Sequence, residues 1–175
     1  MTTVLRSHVY GEWVEGQGNR TVLFNPTTEE PVAEAGSSGV EFRRVLAYAR
    51  EKGNPALRAM TFAERGGLLL AISKAVNDIR EDLVELAIRT GGNTRSDAKF
   101  DVDGCWQTLA FYASLGQSLG NRRVLPDGGF EVLLPKNPRY TGHHARVPLT
   151  GAAIHINAFN FPAWGLGEKA ACAIL

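Results

Sequence analysis

The chain has 175 residues, of which 44% are hydrophobic and 21% charged, and its formal net charge is +1. These values are typical of ordinary globular proteins. Basic residues are spread among nearly as many carboxylates, so no nucleic acid partner is indicated. No apolar run approaches the roughly 20 residues that span a membrane, and the first residues do not resemble a secretion signal. We therefore expect a cytoplasmic protein with no nucleic acid or membrane partner.

The cysteines and histidines give no sign of a disulfide framework or a metal site. Cys105 and Cys172 are far apart and lie in apolar surroundings, so we predict that both are buried small residues rather than reactive thiols. A reducing compartment is consistent with this pattern. His143 and His144 are neighbours on a predicted strand, where successive side chains point to opposite faces, so we predict that they share no metal.

The first 60 residues predict two short strands and a helix. Polar and apolar residues alternate over 8–14, a turn follows at 16–19, and 21–25 is extended. This pattern predicts a pair of antiparallel strands. An apolar face over 40–52 predicts a helix, and Gly53-Asn54-Pro55 predicts its end.

Two longer helices are predicted next. Thr61 and Glu64 have the spacing of a capping box, and an apolar stripe continues to the Gly91-Gly92 pair, which predicts one helix over this span. Gly66 and Gly67 are unfavourable inside a helix, and we interpret them as a site of close helix packing. A further helix, rich in aromatic residues, is predicted over 97–119.

The last third of the chain predicts β-structure followed by a strand and a helix. Strands are predicted on either side of a turn at 126–129 and again over 139–147. The apolar run 151–156 has the character of a strand that is covered on both faces in a parallel sheet. Asn160 follows it, and Pro162 suits the first position of a helix. Because open α/β sheets bind ligands at the carboxyl ends of their strands, we predict that Asn160 faces a crevice in an α/β fold.

These residues also resemble a known family. Asn160-Phe161-Pro162, with Lys169 nine positions after Asn160, resembles the corresponding element of NAD(P)-dependent aldehyde dehydrogenases. Residues 25–33 and 58–65 resemble the N-terminal hairpin and a helix start of that family. Residues 56–61, 89–97 and 156–162 are similar to the branch that acts on CoA thioesters. That branch includes the bifunctional phenylacetate ring-opening protein and the dehydroadipyl-CoA semialdehyde dehydrogenase of aerobic benzoyl-CoA breakdown.

The resemblance implies a domain plan for the chain. Residues 1–120 would form the N-terminal hairpin and helices of the cofactor-binding domain, and residues 121–149 an oligomerisation β-hairpin. Residues 150–175 would form the first strand and helix of an incomplete Rossmann-like core. The nucleophilic cysteine, carboxylate base and glycine-rich cofactor turn of the family have no counterpart in the sequence. We therefore expect a truncated N-terminal portion of the fold, inactive alone and homo-oligomeric when complete.

The resemblance also implies a reaction and roles for four residues. An aldehyde, possibly a CoA-linked semialdehyde from aromatic-acid degradation, would be oxidised to the acid with NADP or NAD as cofactor. Asn160 would donate a hydrogen bond to the oxyanion, and Lys169 would join a proton-relay network. Ile156 and Phe159 would border the nicotinamide half of the cofactor.

Alternatives to these assignments remain open at the level of sequence. Asn160 could instead cap the following helix, since asparagine is among the best N-cap residues, and Lys169 could be a solvated surface residue. Trp106 and Phe111, on the helix that lines the aldehyde tunnel in the family, could be core residues or substrate contacts. The whole chain could also be a non-catalytic module or pseudoenzyme that keeps only an oligomerisation or binding surface.

Overall fold

The computed structural model describes residues 2–175. Its strands are β1 (Thr3–Val4), β2 (Arg6–Val9), β3 (Glu12–Glu15), β4 (Thr21–Phe24), β5 (Pro31–Ala35), β6 (Leu125–Val132) and β7 (Thr141–Arg146). Its α-helices are α1 (Phe42–Tyr48), α2 (Asn54–Ala59), α3 (Phe62–Asp78), α4 (Arg80–Gly91), α5 (Arg95–Leu119) and α6 (Pro162–Ile174), with a π-helical turn at Ala49–Gly53. None of the helices in residues 2–175 combines the length and apolar character needed to cross a membrane.

The N-terminal strands pair differently from the predicted arrangement. The predicted strand over 8–14 is interrupted by a turn at Tyr10 and Gly11, which both have positive φ, so β2 and β3 form a hairpin with each other. The extended run at 21–25 is confirmed as β4, but its partner is β5, which also pairs with β1 in parallel. Local alternation therefore located the extended residues without showing which of them pair.

The helix predicted over 40–52 does not stop at Gly53-Asn54-Pro55. It passes through the π-helical turn directly into α2, where Pro55 occupies one of the first two positions. Proline fits this junction because its fixed φ is close to the helical value, although it contributes no backbone N–H. The predicted stop signal is thus the start of the next helical segment.

The stripe predicted as one helix over 61–91 forms two helices. The capping box of Thr61 and Glu64 is confirmed at the start of α3. At Ile79 the backbone leaves helical geometry, with φ −108° and ψ 22°, and α4 begins at Arg80. The helix predicted over 97–119 is confirmed as α5, which begins two residues earlier because Thr94 caps it by accepting a hydrogen bond from the Asp97 N–H.

The buried core consists of two clusters that both lie along α5. The first contains Leu69, Cys105, Leu109, Ala113 and Ala171, which join α3, α5 and α6. The second contains Val84, Ala87, Ala98 and Val102, which join α4 and α5. The break at Ile79 divides the apolar stripe between the two clusters, so the helix α5 is the common support of the fold.

The β-ribbon of β6 and β7 differs from the prediction in the position of its turn. The predicted turn at 126–129 lies within β6, where the pairing register shifts between Asp127 and Glu131, and the chain reverses between Val132 and Thr141 instead. Among residues 2–175 the ribbon pairs only with itself. Many of its apolar side chains are exposed, including Phe130 and Val132.

The strand predicted over 151–156 is not present as a paired strand within residues 2–175. This segment has no strand assignment, and Ile154 and Ile156 are more than 80% exposed. An apolar run becomes a strand only when a neighbouring strand satisfies its backbone N–H and C=O groups, and none of the described strands lies beside this one. The helix predicted to begin at Pro162 is confirmed as α6.

Candidate active site

The start of α6 is fixed by a buried carboxylate from another helix. Pro162 is at the beginning of α6 and the N-cap residue is Phe161, whose side chain makes no capping hydrogen bond. Instead the carboxylate of Asp101 on α5 accepts hydrogen bonds from the N–H groups of Ala163 at 3.2 Å and Trp164 at 2.8 Å. Asp101 is completely buried. A charged acceptor also suits the positive end of the helix dipole, so this contact places α6 firmly on α5.

Asn160 lies in the turn just before α6, with its side chain exposed. Its carbonyl oxygen accepts a hydrogen bond from Nδ2 of Asn93 at 3.0 Å. Since Phe161 is the N-cap and Asp101 satisfies the first N–H groups of the helix, the capping alternative for Asn160 is wrong. The side-chain amide of Asn160 makes no hydrogen bond to any of the residues 2–175 and is available as a donor.

Lys169 lies two turns further along α6 and is held by neutral acceptors. Its Nζ donates to Oδ1 of Asn157 at 3.1 Å and to the carbonyl of Gly165 at 3.3 Å, and it lies 3.9 Å from a carboxylate oxygen of Glu168. An ammonium group has three N–H donors, so one remains for a further acceptor. Lys169 is therefore a partly exposed side chain with two hydrogen-bond partners, and its place in a proton relay stays a prediction.

A depression of about 310 Å³ brings Lys169 beside the turn that carries Asn160. Its lining residues are Ala158, Phe161, Trp164, Gly165, Glu168 and Lys169. Ala158 and Phe161 lie on either side of the Phe159-Asn160 pair in the sequence. Ile156, Phe159 and Asn160 do not line the depression, and Lys169 lies in the middle of α6. The roles of Asn160 and Lys169 stay predictions.

Ile156 and Phe159 extend from the same segment and are almost unpacked, with exposures of 85% and 84%. Large apolar side chains with this exposure are suited to contact an apolar ring or a further protein element. Their proposed role beside the nicotinamide stays a prediction. The observed exposure fits that role, because a flat ring needs an open apolar surface to lie on.

The aromatic residues of α5 that contact this site are not the two that the sequence suggested. Trp106 is half-buried and donates to Asp103 through Nε1 at 3.0 Å, while Phe111 is largely exposed. Phe100 instead packs edge-on against Phe161 and Trp164, with ring centroids 6.4 and 5.0 Å apart.

Gly104 completes the surface on which α6 rests. A Cβ atom at this position would lie 2.3 Å from the indole of Trp164, so only glycine allows the ring to approach so closely. Sequence reasoning missed Asn93, Phe100, Asp101 and Gly104. One signal in the sequence could have revealed Asp101: it lies between the apolar positions Ala98 and Cys105 on one face of the helix. A carboxylate on a buried face requires hydrogen-bond partners.

Neither cysteine has the surroundings of a catalytic nucleophile. Cys105 is buried, as predicted, and burial, assisted by the charge of the Asp101 carboxylate, raises the pKa of its thiol. Cys172 is exposed, so the prediction that it is buried is wrong. Its Sγ lies 3.1 Å from the hydroxyl oxygen of Tyr112. Cys172 lies ten residues into α6, about 15 Å along the helix axis from its start.

A second, larger cavity of about 650 Å³ lies away from this site, between α2, the start of α3 and the end of α6. It is lined mainly by apolar residues, together with Arg65, Arg146 and Cys172. Arg65 is buried, and its guanidinium lies over the ring of Phe62, with 4.5 Å between Cζ and the ring centroid. Burial lowers the pKa of this guanidinium. Residues 146–153 and His155 of the chain leading to the turn also line this cavity, whereas the four predicted site residues do not.

His143 and His144 both lie on β7, as predicted. The ring of His143 packs edge-on against Phe130 at 4.7 Å, and His144 lies opposite Asp127 in the strand register. Within residues 2–175, no group of three or more histidine, cysteine or acidic side chains is placed to hold a metal ion.

Comparison with known proteins assigns the chain to a family. The family model described as "Aldehyde dehydrogenase family" matches residues 13–175. The chain belongs to the aldehyde dehydrogenase family. Among curated members, it is 44% identical over 171 residues to the 3,4-dehydroadipyl-CoA semialdehyde dehydrogenase of Aromatoleum evansii, an alignment that covers 98% of this chain and 33% of that protein. This result agrees with the predicted similarity to the branch that acts on CoA thioesters.

Other members of the family are more distant in sequence. The 4-trimethylaminobutyraldehyde dehydrogenase of Mus musculus is 27% identical over 157 residues, which cover 85% of this chain and 29% of that protein. The chain spans about a third of the length of the curated relatives that it matches. The site residues described above therefore belong to the N-terminal part of the family's fold.

Solved structures of the family share the fold. Aldehyde dehydrogenase 21 from Physcomitrella patens, in complex with succinate, aligns with a TM-score of 0.79 at 18% identity, covering 99% of this chain and 35% of that one. A betaine aldehyde dehydrogenase from Staphylococcus aureus, in complex with NAD+, aligns with a TM-score of 0.77 at 23% identity, covering 98% of this chain and 33% of that one. The α/β fold predicted from the sequence is confirmed as the N-terminal part of the aldehyde dehydrogenase fold.

Proposed function

We propose that this chain provides the oxyanion-binding turn of an NAD(P)-dependent aldehyde dehydrogenase. The observation that carries the proposal is the free side-chain amide of Asn160, presented on a turn whose backbone is held by Asn93 and whose following helix is held by Asp101. When a nucleophile attacks an aldehyde, the carbonyl oxygen becomes negatively charged. A donor fixed in advance at that oxygen stabilises the charge, and losing one such donor typically costs about 2.7 to 4 kcal/mol of barrier.

The substrate proposal is a CoA-linked semialdehyde from the degradation of aromatic acids. It is supported by the 44% identity with the Aromatoleum evansii relative, whose name specifies 3,4-dehydroadipyl-CoA semialdehyde. The aromatic residues of α5 that the sequence suggested add no support for this choice. Trp106 donates a hydrogen bond to Asp103, and the side chain of Phe111 is largely exposed to solvent. The substrate proposal is therefore tested by comparing the rate of oxidation of a CoA semialdehyde with that of a short aliphatic aldehyde.

The cofactor proposal is NADP or NAD. When bound, a nicotinamide accepts the hydride that leaves the aldehyde carbon. The exposed apolar side chains of Ile156 and Phe159 would contact the ring and exclude water from it. Lys169 keeps one N–H donor free and would hold or pass a proton near the turn. We further propose that the nucleophile and the carboxylate base come from elsewhere in a complete enzyme, because Cys105 is buried and Cys172 is distant from the turn along α6.

The alternative is a non-catalytic module that keeps only an oligomerisation or binding surface, which the ribbon of β6 and β7 would supply. Its unpaired edges and exposed apolar side chains, such as Phe130, are typical of a surface that another chain covers. A complete enzyme would use the same ribbon for homo-oligomerisation, so the ribbon does not distinguish the two functions. Activity does. The 175-residue chain alone is expected to oxidise no aldehyde, and a cytoplasmic location stays a prediction for either function.

The test uses a completed enzyme, in which residues 1–175 are followed by the remaining two thirds of the Aromatoleum evansii relative. Asn160→Ala is expected to lower the single-turnover rate by about 10²- to 10³-fold with little change in cofactor binding. Asn160→Asp is expected to be slower still, because it directs a negatively charged acceptor at a developing anion. Asn54→Ala, which removes an unrelated side-chain amide, serves as the control. A normal single-turnover rate for Asn160→Asp would refute the oxyanion role.

A further inference from the structure

The residues that precede Asn160 make few packing contacts within residues 2–175. Ile154, Ile156 and Phe159 are all more than 80% exposed, and residues 152–158 have no regular secondary structure. A segment with so little buried surface is held only by its polar contacts and by the elements at its ends. The direction of the Asn160 amide therefore depends on a small number of hydrogen bonds.

Asn93 makes the hydrogen bond closest to Asn160. Its Nδ2 donates to the Asn160 carbonyl oxygen at 3.0 Å, across 67 residues of sequence. This bond fixes the peptide group that joins Asn160 to Phe161. Asp101 fixes the start of α6 by accepting hydrogen bonds from the N–H groups of Ala163 and Trp164. These three hydrogen bonds restrict the backbone on the C-terminal side of the Cα atom from which the Asn160 amide extends.

Asn93 is itself fixed on both sides by helix ends. Gly92 terminates α4 in the left-handed conformation, with φ 67°, and a Cβ there would lie 2.9 Å from the Cγ of Pro26. Thr94 is the N-cap of α5, and its hydroxyl both donates to the Asp97 carboxylate and accepts from the Asp97 N–H. A residue between a C-cap and an N-cap has a well-defined backbone conformation. Its side chain is therefore suited to hold another group in place.

We propose that Asn93 is a positioning residue that sets the direction of the Asn160 amide for the reaction. The proposal rests on the oxyanion role of Asn160. Asn93 acts through the Asn160 peptide and need not touch the substrate. Small errors in the position of a catalytic group lower rates strongly. Loss of this one hydrogen bond should therefore lower the single-turnover rate while leaving the binding of substrate and cofactor nearly unchanged.

The test is a double-mutant cycle in the completed enzyme, read by single-turnover kinetics. Asn93→Ala is expected to lower the single-turnover rate about 10-fold, within the range of coupling between contacting residues. In the Asn160→Ala background, the same Asn93→Ala substitution is expected to have almost no effect, because the group that it positions is gone. Unfolding midpoints of all variants are measured in parallel.

Asn54→Ala is the matched control. Asn54 also donates through Nδ2 to a distant backbone carbonyl, that of Leu149 at 3.1 Å, but it holds the opposite end of the segment. Its removal should change the single-turnover rate less than 2-fold. An equal loss of rate in Asn54→Ala and Asn93→Ala would show a general structural effect and would overturn the proposal.

The remaining outcomes separate this proposal from the proposed function. If Asn160→Ala slows the reaction but Asn93→Ala slows it equally in both backgrounds, Asn93 acts independently of Asn160 and the positioning role is refuted, while the oxyanion role stands. If Asn93→Ala has a normal rate, the positioning role is refuted in the same way. If Asn160→Ala itself has a normal rate, both proposals fail.

Discussion

Gly66 on α3 and Gly116 on α5 face each other across the main helix contact of the fold. A Cβ on Gly66 would lie 3.2 Å from the Gly116 Cα and 2.7 Å from the Ala113 carbonyl oxygen, whereas a Cβ on Gly67 would meet no atom within 4 Å. The interpretation of the glycine pair as close packing is therefore confirmed for Gly66 and wrong for Gly67. Two adjacent glycines in one helix have opposite environments.

This difference gives a direct prediction for stability. Gly66→Ala is expected to lower the free energy of unfolding by about 1 to 3 kcal/mol, because the added methyl group forces α3 and α5 apart. Gly67→Ala is expected to raise it by up to about 1 kcal/mol, because alanine is the better helix former and has room. Urea denaturation of both variants measures the two values. Equal effects of the two substitutions would contradict the observed packing.

A second prediction concerns the buried cap of α6. Asp101→Ala removes the acceptor of two backbone N–H groups in the interior and is expected to cost about 1 to 3 kcal/mol for each unsatisfied group. Asp101→Asn keeps one acceptor oxygen and should cost less. Asp127→Ala is the control, because Asp127 pairs with Arg146 on the exposed ribbon and surface ion pairs contribute little. Similar unfolding free energies for Asp101→Ala and Asp127→Ala would show that the cap is dispensable.

A third prediction concerns the dependence of stability on pH. Arg80 donates to both carboxylate oxygens of Asp103, at 2.6 and 2.7 Å. These bonds, together with the one from Trp106, hold the pKa of Asp103 below its ordinary value. A lowered pKa stabilises the folded state above the unfolded-state pKa, about 3.9, and this contribution is lost as the pH falls through the folded-state pKa.

Asp103→Asn should therefore lose stability at neutral pH and show a shallower decrease in unfolding free energy below about pH 4. The measurement is a series of urea titrations between pH 7 and pH 2.5 on the wild type and the variant. Parallel curves over the whole range would show that the ion pair does not contribute. Asp82→Asn, an exposed residue in the first turn of α4, serves as the control for loss of one carboxylate.

A fourth prediction distinguishes the two cysteines by reactivity. In the folded chain Cys172 should react with a thiol reagent near neutral pH and Cys105 should not, because Cys105 is buried and its thiol pKa is raised, and the thiolate is the reactive form. Both should react in denaturant. Mass spectrometry counts the modified sites, and Cys172→Ala should abolish labelling of the folded chain. Rapid labelling of Cys105 without denaturant would indicate that the contact between α5 and α6 opens readily.

The sequence predicted the parts of the fold that depend on local signals. The capping box at Thr61, the long helix α5 and the start of α6 at Pro162 follow from residues near one another in the chain. Three features depend on which distant residues come into contact, and periodicity does not report such contacts. They are the pairing of β4 with β5, the break at Ile79 and the lack of a partner strand for 151–156 among the described residues. Pro55 was misread as a stop because the same residue also suits a helix start.

The same distinction applies to the site. Asn160 and Lys169 could be predicted because they belong to a short motif in one segment, although their chemical roles stay predictions. Asn93 and Asp101 could not, because each meets its partner more than 60 residues away. Only the three-dimensional structure shows that the α4–α5 junction and the face of α5 support the turn.

The exposed apolar side chains before α6 lie outside the part of the chain that keeps residues 2–175 folded. Ile154, Ile156 and Phe159 belong to neither of the two core clusters. The segment is fastened by hydrogen bonds to Asn54 and Asn93 near its ends and by the bond from Lys169 to Asn157 within it. Substitutions at Ile154, Ile156 and Phe159 are expected to change the free energy of unfolding of residues 2–175 little, because these side chains are in contact with solvent. The chain can therefore vary at these three positions while the helices beneath them remain unchanged.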